Sequence, residues 1–331
     1  MLYLFYKRLR RMFQGEYPID FILYKLMCRN GRIKKSFLFY VYKLFEKKNS
    51  QLGNAQELLF ETYDGLNQAT HPTACEYNGK YYFACTPFPF GNDYYENPCL
   101  YTSENGICYE PVEGMSPVIR PRKHDNLIYL SDPYLYTEDN NMYLLYRECA
   151  YNNSSEYIAT VYEKRMDKNK KWHEEKVLIS NNRGLMSPCV VFNKEKKYLY
   201  YVVFDDKKTN LVRVEYGTDD EEKLNVRGIP EGMMIWHIDF FSAHNGTNIG
   251  LFTLSVDHYG GGARLFVATS ENCRDWLIRK EIIFDKNLVK KMYKSCMIHK
   301  DKKDILYVSL RRKDRKWKIY YLDNFIYSEY I

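Results

Sequence analysis

Five segments of the chain, 52 to 61 residues apart, share one layout: a polar residue, an apolar run, a turn and a second apolar run. They open at His71-Pro-Thr-Ala-Cys, Asp132-Pro-Tyr-Leu-Tyr, Ser187-Pro-Cys-Val-Val-Phe, Asp239-Phe-Phe-Ser and Ser295-Cys-Met-Ile. The second run starts about ten residues after each anchor, as in Lys80-Tyr-Tyr-Phe-Ala and Met142-Tyr-Leu-Leu-Tyr. A strand-built repeat of this length predicts a β-propeller. In that architecture the start of each innermost strand faces a central channel. The expected fold class is therefore all-β: a five-bladed β-propeller over residues 51–331, with a short helical N-terminal extension over residues 1–50.

The outer half of each blade repeats too. Tyr109, Trp172 and Trp276 follow the anchors of blades one, two and four by 38, 40 and 37 residues. Asn78-Gly79 supplies a tight hairpin turn in blade one. Blade three is expected to close near Asn225, and blade five to end with Trp317-Lys-Ile-Tyr-Tyr. The 33 tyrosines and 18 phenylalanines suit half-buried strands and sugar-stacking surfaces alike.

Charge is unevenly placed. Residues 1–50 hold twelve Lys/Arg against Glu16, Asp20 and Glu46, a net +9, while the whole chain carries +7. The propeller is then close to neutral at −2, which argues against nucleic acid as its partner. Two helices are expected in the extension, Ile19 to Cys28 and Lys35 to Lys48, with Arg29-Asn30-Gly31 as the stop between them. Neither has the roughly 20 apolar residues of a membrane span. The opening Met1–Phe13 run lacks the order of a secretory signal. The extension reads either as helices packed on the outside of the propeller or as a basic-aromatic segment making peripheral contact with an anionic membrane. The expected location is cytoplasmic, with the inner membrane face as the variant. Nine cysteines without regular spacing predict neither a disulfide framework nor a metal-ligand set, and no cofactor motif is present.

The segments Asn97-Pro98-Cys99-Leu100, Leu130-Ser131-Asp132, Tyr146-Arg147-Glu148, Ser187-Pro188 and Trp236-His237-Ile238-Asp239 occur in blade order. With them, residues 69–327 resemble five-bladed propellers of the glycoside hydrolase family 43 and 32 type, in a bacterial branch with degenerate catalytic positions. The resemblance implies an Asp base opening blade one, an acid-tuning Asp opening blade two and a Glu acid opening blade three. Asp132 matches. His71 and Ser187 stand where the other two carboxylates are implied.

Glycoside hydrolysis needs paired acid and base groups. Asp132 and Asp239 are the expected carboxylate pair, with His71 as a substitute base. His237, Trp236, Glu148, Arg147, Ser187, Asn97 and Ser295 are the expected substrate-binding residues. An Arg147-Glu148 pair at the mouth could also brace Asp132. Asp257-His258-Tyr259-Gly260-Gly261-Gly262 reads as a loop reaching the same mouth rather than a phosphate cradle, since no helix follows it. Two functions are carried forward, both with an oligo- or polysaccharide ligand. One is a glycosidase-like enzyme. The other is a non-hydrolytic glycan-binding propeller in surface-polysaccharide assembly.

Overall fold

The structure, a computed structural model, describes residues 19–29, 32–33, 37–45, 51–52, 54–118, 127–152, 155–194, 196–205, 208–242, 247–285, 289–300 and 303–331. The Met1–Phe13 segment lies outside them. Five sheets, antiparallel apart from one edge strand of blade IV, form a five-bladed propeller. Their inner strands are Ala69–Tyr77, Leu127–Glu138, Met186–Asn193, Met234–Ser242 and Val289–Lys300, opening blades I to V.

The ring closes with a short segment that precedes blade I. Ala55–Glu57 adds to Trp317–Leu322 as the fourth strand of blade V, with Gln51–Leu52 outside it, pairing Tyr320 with Glu57 and Tyr321 with Gln56. The backbone of Leu58 donates to Ile319 O at 2.8 Å, and the buried Lys318 and Glu57 meet at 2.9 Å. Strands from the two ends of the propeller thus share one sheet, so opening the ring means breaking ladder bonds. Asn225–Arg227, expected to close blade three, runs instead parallel to Asp275–Ile282 at the edge of blade IV. Blade III ends at Glu221–Lys223.

Aromatic side chains fill the wedges between blades. Phe83, Tyr101 and Tyr109 of blade I pack with Tyr307 of blade V, and Trp276 lies fully buried beside Phe240 and Phe252. These account for much of the aromatic content as core.

The inner strands carry β-bulges at their mouth ends. In blades I, II, III and V two residues oppose one: His71-Pro72, Asp132-Pro133, Ser187-Pro188 and Tyr293-Lys294. In blade IV the register slips between Ile235 and His237. His71, Asp132 and Ser187 adopt φ of 54°, 49° and 52°, a left-handed conformation that non-glycine residues rarely take. A bulge re-aims the side chain at the point where the strand meets the channel. The equivalent positions around the mouth are therefore His71, Asp132, Ser187, His237 and Tyr293. Asp239 and Ser295, aligned with the first three in the sequence, lie two residues deeper, level with Thr73, Tyr134 and Cys189. Proline follows the anchor in blades I to III and is missing in IV and V. This is why the sequence alignment slips there.

The N-terminal helices are α1 (Ile19–Met27) and α2 (Phe37–Phe45). They bury Phe21, Tyr24, Met27, Phe39 and Tyr42. Phe90 packs among Phe21, Tyr24 and Tyr42 at 5.3, 4.6 and 6.3 Å, tilted to the first two rings and edge-on to the third. Lys316 pairs with the buried Asp20, and the Arg315 guanidinium lies 4.9 Å above the Phe21 ring. Residues 88–98 follow the second strand of blade I, and residues 313–316 follow that of blade V. Both segments therefore lie at the mouth end. The helices sit on the rim of the mouth, a more specific place than the propeller's outside.

Candidate functional site

Asp132 is the hub of the channel mouth. Its left-handed bulge turns the carboxylate inward, where it is fully buried. Oδ2 is held by Arg147 Nη2 at 3.1 Å and by the backbone N–H of Ser187 at 3.2 Å. Oδ1 faces His71 Nε2 at 3.2 Å and His237 Nδ1 at 3.6 Å. None of Asp132 Oδ1, His71 Nε2 and His237 Nδ1 has a hydrogen-bond partner among the described residues. Buried polar atoms are nearly always partnered, so three converging orphans require an explanation.

Metal coordination supplies one. The three donor atoms lie within 4.8 Å of one another. Ligands about 2.0–2.1 Å from a tetrahedral zinc stand roughly 3.3 Å apart, and the two contacts to Asp132 fall on either side of that spacing. The outer contact of His71 fits as well, whereas Nε2 of His237 has no hydrogen-bond partner among the described residues. His71 Nδ1 hydrogen-bonds Thr86 Oγ1 at 2.6 Å, which presents Nε2 to the channel. Arg147 occupies the far carboxylate oxygen, and its own position is locked by Ser131 Oγ at 2.9 Å and Leu185 O at 2.7 Å. A histidine–histidine–carboxylate set suits Zn²⁺ or another divalent transition metal.

The electrostatics agree with this geometry. Burial lowers the His71 imidazole to about 3 and His237 well below its ordinary value, with Asp132 opposing both shifts. Neutral imidazoles are the ligating form. Burial disfavours the Asp132 carboxylate, but Arg147, the two histidines and Lys294 together outweigh it and hold the group ionised.

Two further groups belong to the site and were missed in the sequence. Glu96 is buried in the blade I mouth loop, and its carbonyl accepts from Leu130 N at 3.2 Å, beside the Asp132 bulge. Burial raises its carboxyl, reinforced by Asp132 and opposed by Arg147. Its signal was one residue away, in the Asn97-Pro98 step. Tyr293, the bulge residue of blade V, stands edge-on to His71 at 4.6 Å and contacts Trp236 at 4.4 Å and His237 at 4.8 Å.

The remaining expected residues sort by position. Trp236 packs against His237 at 4.6 Å and lies under Gly260. Ser187 clamps blade III to blade IV, its Oγ donating to Ile238 O at 2.9 Å and accepting from Ile238 N at 3.0 Å. Of the Arg147-Glu148 pair, Arg147 alone braces Asp132; Glu148 accepts from Tyr162 on the neighbouring strand of the blade. Asn97 is buried beside Glu96, and Ser295 is buried in the deeper layer. Asp239, also deeper, is raised to about 7 by burial, with Lys294 opposing. The fully buried Lys294 donates to Pro133 O at 3.3 Å. Asp257 organises its own loop, accepting from Tyr259 N and Gly261 N at 2.9 and 2.8 Å. His258 of that loop packs against Phe204.

No protein-family profile matches the chain. No curated protein matches it either. Solved structures do. An N-acetylgalactosamine deacetylase from F. plautii, in complex with blood group B trisaccharide, is similar at TM-score 0.68 and 15% identity, over 82% of this chain and 94% of that one. A thermostable family-43 glycoside hydrolase is similar at TM-score 0.60 and 10% identity, over 79% and 91%. A GH32 β-fructofuranosidase from Bombyx mori is similar at TM-score 0.55 and 16% identity, over 77% and 58%. At these identities the likeness is one of fold. The chain has the five-bladed β-propeller fold of the glycoside hydrolase family 43 and 32 type.

Proposed function

We propose that this chain is a metal-dependent hydrolase of carbohydrates that removes an acyl group from an N-acylated sugar in the central channel. The observation that carries this reading is the convergence of His71 Nε2, Asp132 Oδ1 and His237 Nδ1, buried, unpartnered and spaced for one divalent cation. Three protein ligands leave coordination positions open, the pattern of catalytic rather than structural zinc sites. A cation there would polarise an acyl carbonyl and make water a competent nucleophile at neutral pH. In the hydrolysis, water oxygen bonds to the acyl carbon, the C–N bond breaks and the nitrogen takes a proton. A carboxylic acid and a free amino sugar result.

The chain's own residues divide the work. Arg147 and the Ser187 backbone hold Asp132 in one orientation, and Thr86 holds His71. Glu96, a buried carboxyl coupled to both Asp132 and Arg147, would move the proton from water to nitrogen. Tyr293, only partly buried beside His71, offers an apolar ring face to a sugar, with Trp236 packed behind it. The F. plautii neighbour, a deacetylase with this fold, supports the reaction class. A glycosidase mechanism would need Asp132 as one of two reacting carboxyl groups. Here one of its oxygens is committed to Arg147, and Asp239 lies a layer deeper.

A non-hydrolytic glycan-binding propeller is the second reading. The depth of the triad favours it, since His71, Asp132 and His237 are at most 1% exposed and suit a cation that clasps three blades. The experiment supplies zinc-loaded protein with N-acetylated oligosaccharides and follows acetate and new reducing ends together. Acetate without reducing ends is the expected result. Reducing ends without acetate would support a glycosidase, and saturable binding without either product would support the second reading.

A further inference from the structure

The helices α1 and α2 do more than pack. Their inner faces grip the mouth loops of blades I and V, yet their outer faces carry large apolar side chains in water. Leu26 is 65% exposed, Phe37 80% and Tyr40 66%. Phe37 and Tyr40 are three residues apart and share one face of α2. These side chains sit within the most basic part of the chain, the first fifty residues with their net +9, while the rest carries −2. An exposed apolar patch in a basic setting is the pattern of a helix that lies in a membrane interface. Among the described residues no helix is long and apolar enough to cross a membrane. The contact is with a surface.

We propose that the outer faces of α1 and α2 dock on an anionic lipid surface, bringing the channel mouth to the bilayer. The occupant follows from complementarity. Aromatic and leucine side chains enter the interface while lysines and arginines meet anionic headgroups. The position of the helices supplies the consequence for function. They hold the loop that carries Phe90, Phe88 and Glu96, and Phe88 reaches Tyr293 at 6.2 Å in the site. The docking surface and the candidate triad are therefore at the same end of the propeller. Resting on the hydrolase reading, this presents sugars carried on a lipid anchor to the channel mouth.

The test is flotation of the full chain with vesicles of phosphatidylcholine alone or mixed with phosphatidylglycerol. The expected result is binding to the mixed vesicles, at least about ten-fold weaker binding to the neutral ones, and release by raised salt. The double substitution Phe37→Glu with Tyr40→Glu is expected to weaken binding at least about ten-fold. Both side chains are exposed, so melting temperature and metal content should be unchanged. Failure of the wild type to float with anionic vesicles would overturn the proposal. Equal binding to neutral vesicles, or wild-type binding by the double variant, would do the same. Metal content reports separately on the hydrolase reading, so either idea can fail without the other.

Discussion

Arg147 stands 3.1 Å from Oδ2 of Asp132 and so turns the other carboxylate oxygen, Oδ1, toward His71 and His237. A buried charge is acceptable only when paired. Arg147 meets that need and also prevents Asp132 from presenting both oxygens to a ligand. Replacing Arg147 with Met should destabilise the metal-free protein by roughly 3–5 kcal/mol, because an uncompensated carboxylate remains. Adding Asp132→Asn should restore part of that loss. Chemical unfolding of the two single variants and the double variant in chelator checks the coupling; additive losses would deny it.

Thr86 acts on the site without touching a ligand atom. Its hydroxyl fixes the His71 ring through Nδ1 at 2.6 Å. Thr86→Val should weaken zinc binding about 10- to 100-fold, the usual cost of losing an outer-shell partner. Calorimetric titration reads this, and Thr86→Ser should recover most of the affinity.

Gly260 marks how tightly the blade IV loop covers Trp236. Its φ is +74°, and a Cβ there would lie 2.1 Å from Trp236 Cη2. Gly260→Ala should cost about 1–3 kcal/mol and change the tryptophan emission spectrum, since loop and ring cannot both keep their places. An unchanged spectrum and melting temperature would show that Trp236 is not held from above.

Asp64 gives the protein a pH dependence apart from the site. Burial raises its carboxyl from 3.8 to about 6. Between those values the folded state binds more protons than the unfolded chain, so stability falls as pH rises through this window and levels off above it. Asp64→Asn removes the effect. The variant should exceed wild type by up to about 3 kcal/mol at pH 7 and match it near pH 4. Urea unfolding at both pH values checks the sign.

Much of this architecture was legible because side chains on inner strands repeat with the blade. His71-Pro72, Asp132-Pro133 and Ser187-Pro188 announced three bulges through their prolines. Trp236-His237 and Tyr293-Lys294 have none, so sequence spacing alone points to Asp239 and Ser295, two residues deeper. The same slip hid the ligand set: His71, Asp132 and His237 come from three blades and meet only when the ring closes. Ala55–Glu57 and Asn225–Arg227 are three residues each, too short to show a period, and their sheets are set by neighbouring strands. Arg147 was recognised as a brace, but its neighbour Glu148 points to the opposite face, as strand alternation requires.

The most direct test of the account is the metal content of the purified full chain, measured by elemental analysis after zinc loading and gel filtration, beside the His71→Ala, Asp132→Asn and His237→Ala variants. One zinc per wild-type chain and none in the variants is the expected result, and each variant should keep the far-ultraviolet spectrum of the propeller. A wild-type chain that holds no zinc, or variants that hold as much as the wild type, would contradict it.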